Sequence, residues 1–226
     1  MLPGIVAATE GGSSGGTGPE LPIGVPVPLV WITPREVELD GSGNVTKFLN
    51  QGSTGSTNDA TPSTANLCTI VQPASWGGQD VINIPDTGGG GYDMSNIVEA
   101  RTIVAVATYQ DGVQATFTNY DGLVGGGTGS SIELSGKNGT SELFFTSFPT
   151  YKNGILVPTR SVLPMDKTGI AITNSATDSA AAALFHDDFS TSRNWVGLCG
   201  DVIIFQSVLT DTQILDVHNS IMDFYA

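Results

Sequence analysis

Positive charge is what this chain has least of: 8 Lys and Arg stand against 22 Asp and Glu in 226 residues, a formal net charge of −14. The cations (Arg35, Lys47, Arg101, Lys137, Lys152, Arg160, Lys167 and Arg193) fall singly and form no patch. Phosphate binding by counterion release has no surface to act from, which excludes nucleic acid as a partner class. Cysteine and histidine are scarce too, with 2 of each. Cys68 and Cys199 each open an apolar, strand-like stretch, so they read as small buried thiols rather than a disulfide framework. They have no CxxC spacing and only His186 and His218 to join them, so they make no zinc site. No apolar run reaches the roughly eighteen residues of a spanning segment, so no membrane contact is expected. The first Lys or Arg is Arg35, so the opening "MLPGIVAATE" lacks the basic region of an export signal.

What remains is a composition of strands and polar turns: Gly numbers 29, charged residues are 13%, and the hydrophobic share of 39% is enough for a core. The length suits one domain with an appendage. Residues 1–28 are read as an N-terminal arm and 29–226 as the domain. Within the arm, "EGGSSGGTGP" is a coil-forming tether and "LPIGVPVPL" an extended strap with few hydrogen-bond donors. The apolar tip residues Leu2, Pro3, Ile5 and Val6 cannot reach the domain core usefully across that coil, so residues 1–20 are assigned to attachment on another chain.

Beyond the strap, short apolar or alternating runs recur between Gly, Asn, Asp and Ser, the pattern of an antiparallel all-β domain. "LVWITPREVEL", "VTKFLNQ", "DVINIPD", "ARTIVAVATY", "VQATFTNY", "SSIELSG", "SELFFTSF", "TYKNGILVP" and "TGIAITNS" are expected strands, numerous enough for two packed sheets. "ARTIVAVATY" is nearly continuous in apolar residues and is expected to be buried on both sides. Asn153-Gly154 and Asn138-Gly139 supply residues that tolerate positive φ at tight turns. The Asn44 and Asn138 Asn-X-Thr matches are likewise turn chemistry. "SATDSAAAALF" is read as a helical turn or a loop. At the end, Thr210 and Gln213 form a capping-box pair, and Leu209, Ile214, Val217, Ile221 and Phe224 recur at helical spacing, giving one packing helix.

The closing order, strand "GDVIIF", link "QSVL" and helix "TDTQILDVHNSIMDFY", resembles the end of concanavalin A-like lectin/glucanase domains of the laminin G-like type. Upstream, "LVWITPREVELDGSGNVTKFLNQG" resembles their opening strand and turn, "DVINIPDTGGGGYDM" their strand and Gly turn, "ARTIVAVATY" the central strand and "YKNGILVP" the hairpin. The resemblance runs through residues 29–226 and implies a two-sheet antiparallel jelly-roll sandwich. It implies ligands on a concave face or rim loops, and it does not imply catalysis. With the tethered tip, it leads to the expectation of a non-enzymatic bacteriophage virion protein of the capsid, tail or baseplate. Such a protein would bind host-surface glycan during attachment and could form a homo-oligomer. The alternatives are a secreted or cell-surface bacterial adhesion module and a glycoside hydrolase.

Glycan binding uses exposed aromatic faces, and Trp76, Tyr92 and Tyr120 lie in turn-like contexts, whereas Trp31 and Trp195 lie in strand-like runs and are expected in the core. For calcium, which takes oxygen ligands from acidic loops, the candidates are Asp86, Asp93, Asp121, Asp187 and Asp188. The hydrolase alternative rests on Glu36, Glu38 and Asp40, which alternate and so would share one strand face. Their order differs from that of glucan-cleaving members, and a solvated face is the better reading. His186 and His218 carry no triad pattern, and no Ser sits in a nucleophile elbow.

Overall fold

A computed structural model describes residues 18–86, 91–126, 130–144, 148–176, 179–186 and 193–226. In chain order its strands are β1 (Val30–Ile32), β2 (Val37–Leu39), β3 (Val45–Phe48), β4 (Thr61–Pro62), β5 (Thr69–Val71), β6 (Val81–Ile84), β7 (Tyr92–Val98) and β8 (Thr102–Ala107). There follow β9 (Gly122–Gly126), β10 (Ser130–Ser131), β11 (Leu134–Ser135), β12 (Thr150–Lys152), β13 (Ile155–Leu156), β14 (Thr168–Thr173), β15 (Ser179–Leu184) and β16 (Gly197–Phe205), and then the helix α1 (Asp211–Phe224). The eight-stranded sheet has the order β13-β12-β14-β8-β16-β6-β5, with β1 also on β16. The six-stranded sheet has the order β11-β9-β15-β7-β4, with β10 parallel to β15, and β2-β3 form a hairpin of their own. This is an all-β, two-sheet sandwich with one C-terminal packing helix.

The layering explains why β8 is apolar at every residue from 103 to 107 and β16 at every residue from 202 to 205. On β8, Ile103, Ala105 and Ala107 face the core between the sheets, while Val104 and Val106 face the layer under α1. β16 repeats the division, with Val202 and Ile204 inside and Ile203 and Phe205 under the helix. Period-two alternation sorts each run into two hydrophobic faces because both faces of this sheet are covered.

The helix forms where its caps predict. The Thr210 side chain accepts from the Gln213 backbone N–H and the Gln213 side chain accepts from the Thr210 backbone N–H, so two orphan donors of the first turn are satisfied. Ile214, Val217 and Ile221 are buried against the sheet, and the last apolar anchor is Tyr225 rather than the half-buried Phe224. Thr210→Ala is expected to cost about 1 kcal/mol, a fall of roughly 2–4 °C in a thermal melt. An unchanged melt would show that the tertiary packing holds the helix without its cap.

A bulge in β16 between Cys199 and Val202 marks where its outer neighbour changes from β6 to β1. Asp201 sits there, fully buried. Its Oδ1 accepts from Trp31 Nε1 at 2.6 Å and Arg35 Nη2 at 2.8 Å, and its Oδ2 accepts from Tyr225 Oη at 2.6 Å. Burial alone would lower the Arg35 pKa, but the Asp201 and Tyr225 charges overcome it and raise it above the ordinary value.

Several expectations are corrected. The Ala-rich "SATDSAAAALF" contributes β15, the strand between β9 and β7, with Ala181 and Ala183 opposite Gly126 and Gly125 of β9; tertiary pairing overrides alanine's helical preference. "VQATFTNY" forms no strand: Phe117 makes only an isolated bridge with Asn138, its N–H donating to the Thr140 carbonyl. The described part of "SELFFTSF" makes only isolated bridges, at Glu142 and Leu143. "LVWITPREVEL" is split into β1 and β2 by a turn at Thr33 to Glu36. The Asn153-Gly154 turn has φ of 52° and 75°, as a two-residue hairpin requires, whereas at Asn138-Gly139 only Gly139 is positive, at 72°. The Pro-rich strap lies on the domain. Leu21 and Val25 pack toward the helix layer, the Glu20 carbonyl accepts from Ser220 Oγ, and the Gly24 carbonyl accepts from Gln213 Nε2.

Candidate functional site at the Tyr120 rim

Three loops meet at one end of the sandwich: the turn after β8, the turn around Gly139 and the segment leading into β16. Their base is aromatic. Tyr109 packs edge-on to Phe117 at 4.7 Å and to Trp195 at 5.2 Å between ring centroids, and all three rings are buried. Trp195 Nε1 donates to the Thr108 carbonyl at 2.8 Å, and the Thr118 N–H donates to Tyr109 Oη at 2.9 Å. Tyr109 Oη in turn donates to Asp121 Oδ2 at 2.5 Å. Burial and that bond to the carboxylate push the Tyr109 pKa up to about 12.

Tyr120 follows Asn119 and precedes Asp121, which are joined by the bond from the Asn119 N–H to Asp121 Oδ2, and it is half-buried. Phe144, 40% exposed, meets it edge-on at 5.1 Å, and the Arg193 guanidinium lies 5.2 Å from its ring centre. The Gly122 N–H donates to the Arg193 carbonyl at 3.0 Å, which ties the segment before β16 to the start of β9. The result is a partly open aromatic and cationic surface held from beneath by buried hydrogen bonds.

The other nominated aromatics are placed differently. Trp76 is 1% exposed, beneath the helix layer and edge-on to Tyr225 at 5.1 Å. Tyr92 is fully buried: it begins β7, donates from Oη to the Val45 carbonyl at 2.7 Å and accepts from the Cys68 N–H at 3.0 Å. Neither ring has a face to offer a sugar; Trp76 is covered by the helix layer, and Tyr92 is the inward-pointing first residue of its strand. Trp195 is in the core as expected, and Trp31 is half-buried against the helix layer.

The acidic candidates scatter. Asp86 is exposed at the end of β6, and Asp93 on the outer face of β7 lies 3.0 Å from His186 Nε2. Asp121 is buried, its Oδ2 taken up by Tyr109, Thr118 and Asn119. Asp187 and Asp188 lie outside the described residues, as do Leu2, Pro3, Ile5 and Val6. Among the described residues no three His, Cys, Asp or Glu side chains are grouped to hold a metal ion, and no helix is long and apolar enough to cross a membrane.

Glu36, Glu38 and Asp40 are all exposed, but only Glu38 lies within β2: Glu36 belongs to the turn before the strand and Asp40 follows its end. Glu38 pairs with Lys47 of β3 at 3.7 Å, and the hairpin's extra residue is Thr46 of β3. Asp40 caps the following turn, accepting from Asn44 Nδ2 and from the Ser42 and Asn44 N–H groups, and those bonds hold its pKa below the usual carboxylate value. Cys68 and Cys199 are buried, and burial pushes the Cys68 thiol up to about 12 and the Cys199 thiol well above its ordinary value, which disfavours the thiolate at both.

Sequence reading missed Arg193 and Phe144, since each meets Tyr120 only through the fold. No family model, curated protein or solved structure matches the chain. The concanavalin A-like likeness therefore rests on the order of its sequence segments.

Proposed function

We propose that this chain is a non-enzymatic, lectin-like binding module of the concanavalin A-like kind, carried on a virion by its N-terminal segment, with a glycan site at the Tyr120 rim. The observation that carries the reading is the accessibility of Tyr120, alone among the three aromatics picked from turn-like sequence. Its ring lies edge-on to Phe144 and beside a guanidinium, and its neighbour Asp121 is bonded to the buried Tyr109, so a sugar would meet a surface that needs little ordering on binding. The arm supports the virion setting, because an apolar tip on a Gly-rich tether suits attachment of a display domain to a larger particle.

Glycan-array screening and then titration of the best glycan tests the site. Tyr120→Ala is expected to weaken binding about tenfold, the equivalent of roughly 1.4 kcal/mol, with the melting curve unchanged. Equal affinity in the variant, or no glycan retained by the wild type, would overturn the site. Loss of particle incorporation on removing residues 1–20 tests the setting separately.

A further inference from the structure

The open end of the larger sheet is β13, and it is unusually apolar for an exposed edge. Ile155 is 68% exposed and Leu156 46%, and Leu215 of α1, 39% exposed, packs beside Gly154 at the hairpin tip. Antiparallel alternation pairs the backbone of Ile155 with Lys152, which turns the N–H and C=O of Leu156 to the open side. Next to it lies a groove of about 330 Å³ whose lining is mostly apolar, with Phe148, Tyr151, Leu156 and Val157, and is closed at its polar end by Thr150 and Arg160. Soluble proteins usually blunt such an edge with charge, Pro, a cover or short length; β13 has two residues, so shortness limits its open backbone to the peptide groups of Leu156 while the apolar side chains stay exposed.

We infer that this edge receives the apolar tip of a second copy, with Leu2, Ile5 and Val6 adding as a short strand along β13; the inference rests on the attachment role proposed for the arm and names its acceptor. Charge, and the point where the arm leaves the domain, identify the occupant. Pairing two β13 edges would bring together two copies of α1, which carries Asp211, Asp216 and Asp223 and no Lys or Arg, on a chain of net charge −14. The tip has no acidic residue before Glu10 and approaches without that repulsion. Traced backward, the strap runs from Gln213, near the start of α1, to Ser220, and Gly18 lies against Arg35 at the far end. The arm thus leaves the domain heading away from its own β13. A tip-to-edge contact is heterologous, so it builds a ring or an open array rather than a two-fold dimer.

Sedimentation of three full-length proteins tests this: the wild type, a tip variant (Ile5→Asp with Val6→Asp) and an edge variant (Ile155→Asp with Leu156→Asp). The wild type is expected to exceed the 23.4 kDa of one chain at micromolar concentration, and each variant to associate at least about tenfold more weakly. An equimolar mixture of the two variants keeps one intact tip and one intact edge and is expected to recover a two-chain species. A wild type that stays at one chain mass overturns the inference, and so does a mixture that stays monomeric while the wild type associates. Circular dichroism melts of both variants monitor folding, and the exposure of Ile155 and Leu156 makes a folded edge variant the expected result. Glycan titration of the same variants is expected to match the wild type, so failure of self-association and failure of the Tyr120 site are read apart.

Discussion

Replacing Asp201 by Ala is expected to lower the melting temperature by roughly 6–20 °C, corresponding to a loss of about 3–5 kcal/mol. The side chain is fully buried and accepts from Trp31, Arg35 and Tyr225, so its removal leaves three donors without their acceptor, one of them a cation whose side chain is only 13% exposed. A buried charge left without its partner costs far more than the net worth of the pair, because its desolvation is no longer compensated. The arrangement also ties together β1, the turn after it, the bulge in β16 and the end of α1, so the loss acts on the seam between the larger sheet and its helix. Arg35→Met added to Asp201→Ala is expected to recover part of the stability, since no unpaired charge then remains. A drop below about 1 kcal/mol in the single variant would mean that water reaches the site and that the cluster does not hold these elements together.

The same cluster shows where sequence reading stops. Trp31, Arg35, Asp201 and Tyr225 are brought together by strand pairing and by the return of the helix, and no local pattern announces it. By contrast, the cap formed by Thr210 and Gln213 and the hairpin at Asn153 and Gly154 are local chemistry, and both were legible because the deciding atoms lie within a few residues of one another. β8 was legible for a related reason: a fully apolar run admits a central strand covered on both faces. β15 was not, since this row of alanines becomes a strand through pairing with β7 and β9, which are distant in the chain.

For the candidate site, composition could nominate aromatics near turns but could not order them by exposure. Tyr92 and Tyr120 both neighbour Gly and Asp, and one is the first inward residue of a strand while the other lies between two turns at the rim. The difference is made by strand pairing at one residue and loop packing at the other, long-range contacts that composition does not encode. Arg193 and Phe144 were invisible for the same reason, their link to Tyr120 being made by loop closure rather than by spacing.

Acid is expected to loosen the helix layer, and His218 is the group that senses it. Its ring lies between α1 and the larger sheet, 8% exposed, with Nδ1 buried and without a hydrogen-bond partner. Gly169 and Gly154 make the room: a Cβ on Gly169 would fall inside the contact shell of Nδ1, and one on Gly154 would lie 3.4 Å from Cδ2. Burial lowers the His218 pKa, and the nearby Asp223 charge only partly offsets this. In the unfolded chain the ring takes up its proton near pH 6.5, and in the native state only at lower pH. Below about pH 6.5 the unfolded form therefore binds more protons, and stability falls from there until the native group also titrates. Above that range the ring is neutral in both states and contributes no slope. Denaturant unfolding at a series of pH values, wild type against His218→Leu, isolates the effect: the two curves are expected to run parallel above about pH 7 and to diverge below it, the wild type losing more. Gly169→Ala is expected to cost about 1–3 kcal/mol by overpacking against the ring, and the cost is expected to shrink in the His218→Ala background, where the space is open. Curves that stay parallel to about pH 5, or a Gly169→Ala cost unchanged by removing the imidazole, would show that the ring has room to move and that acid acts on this fold elsewhere.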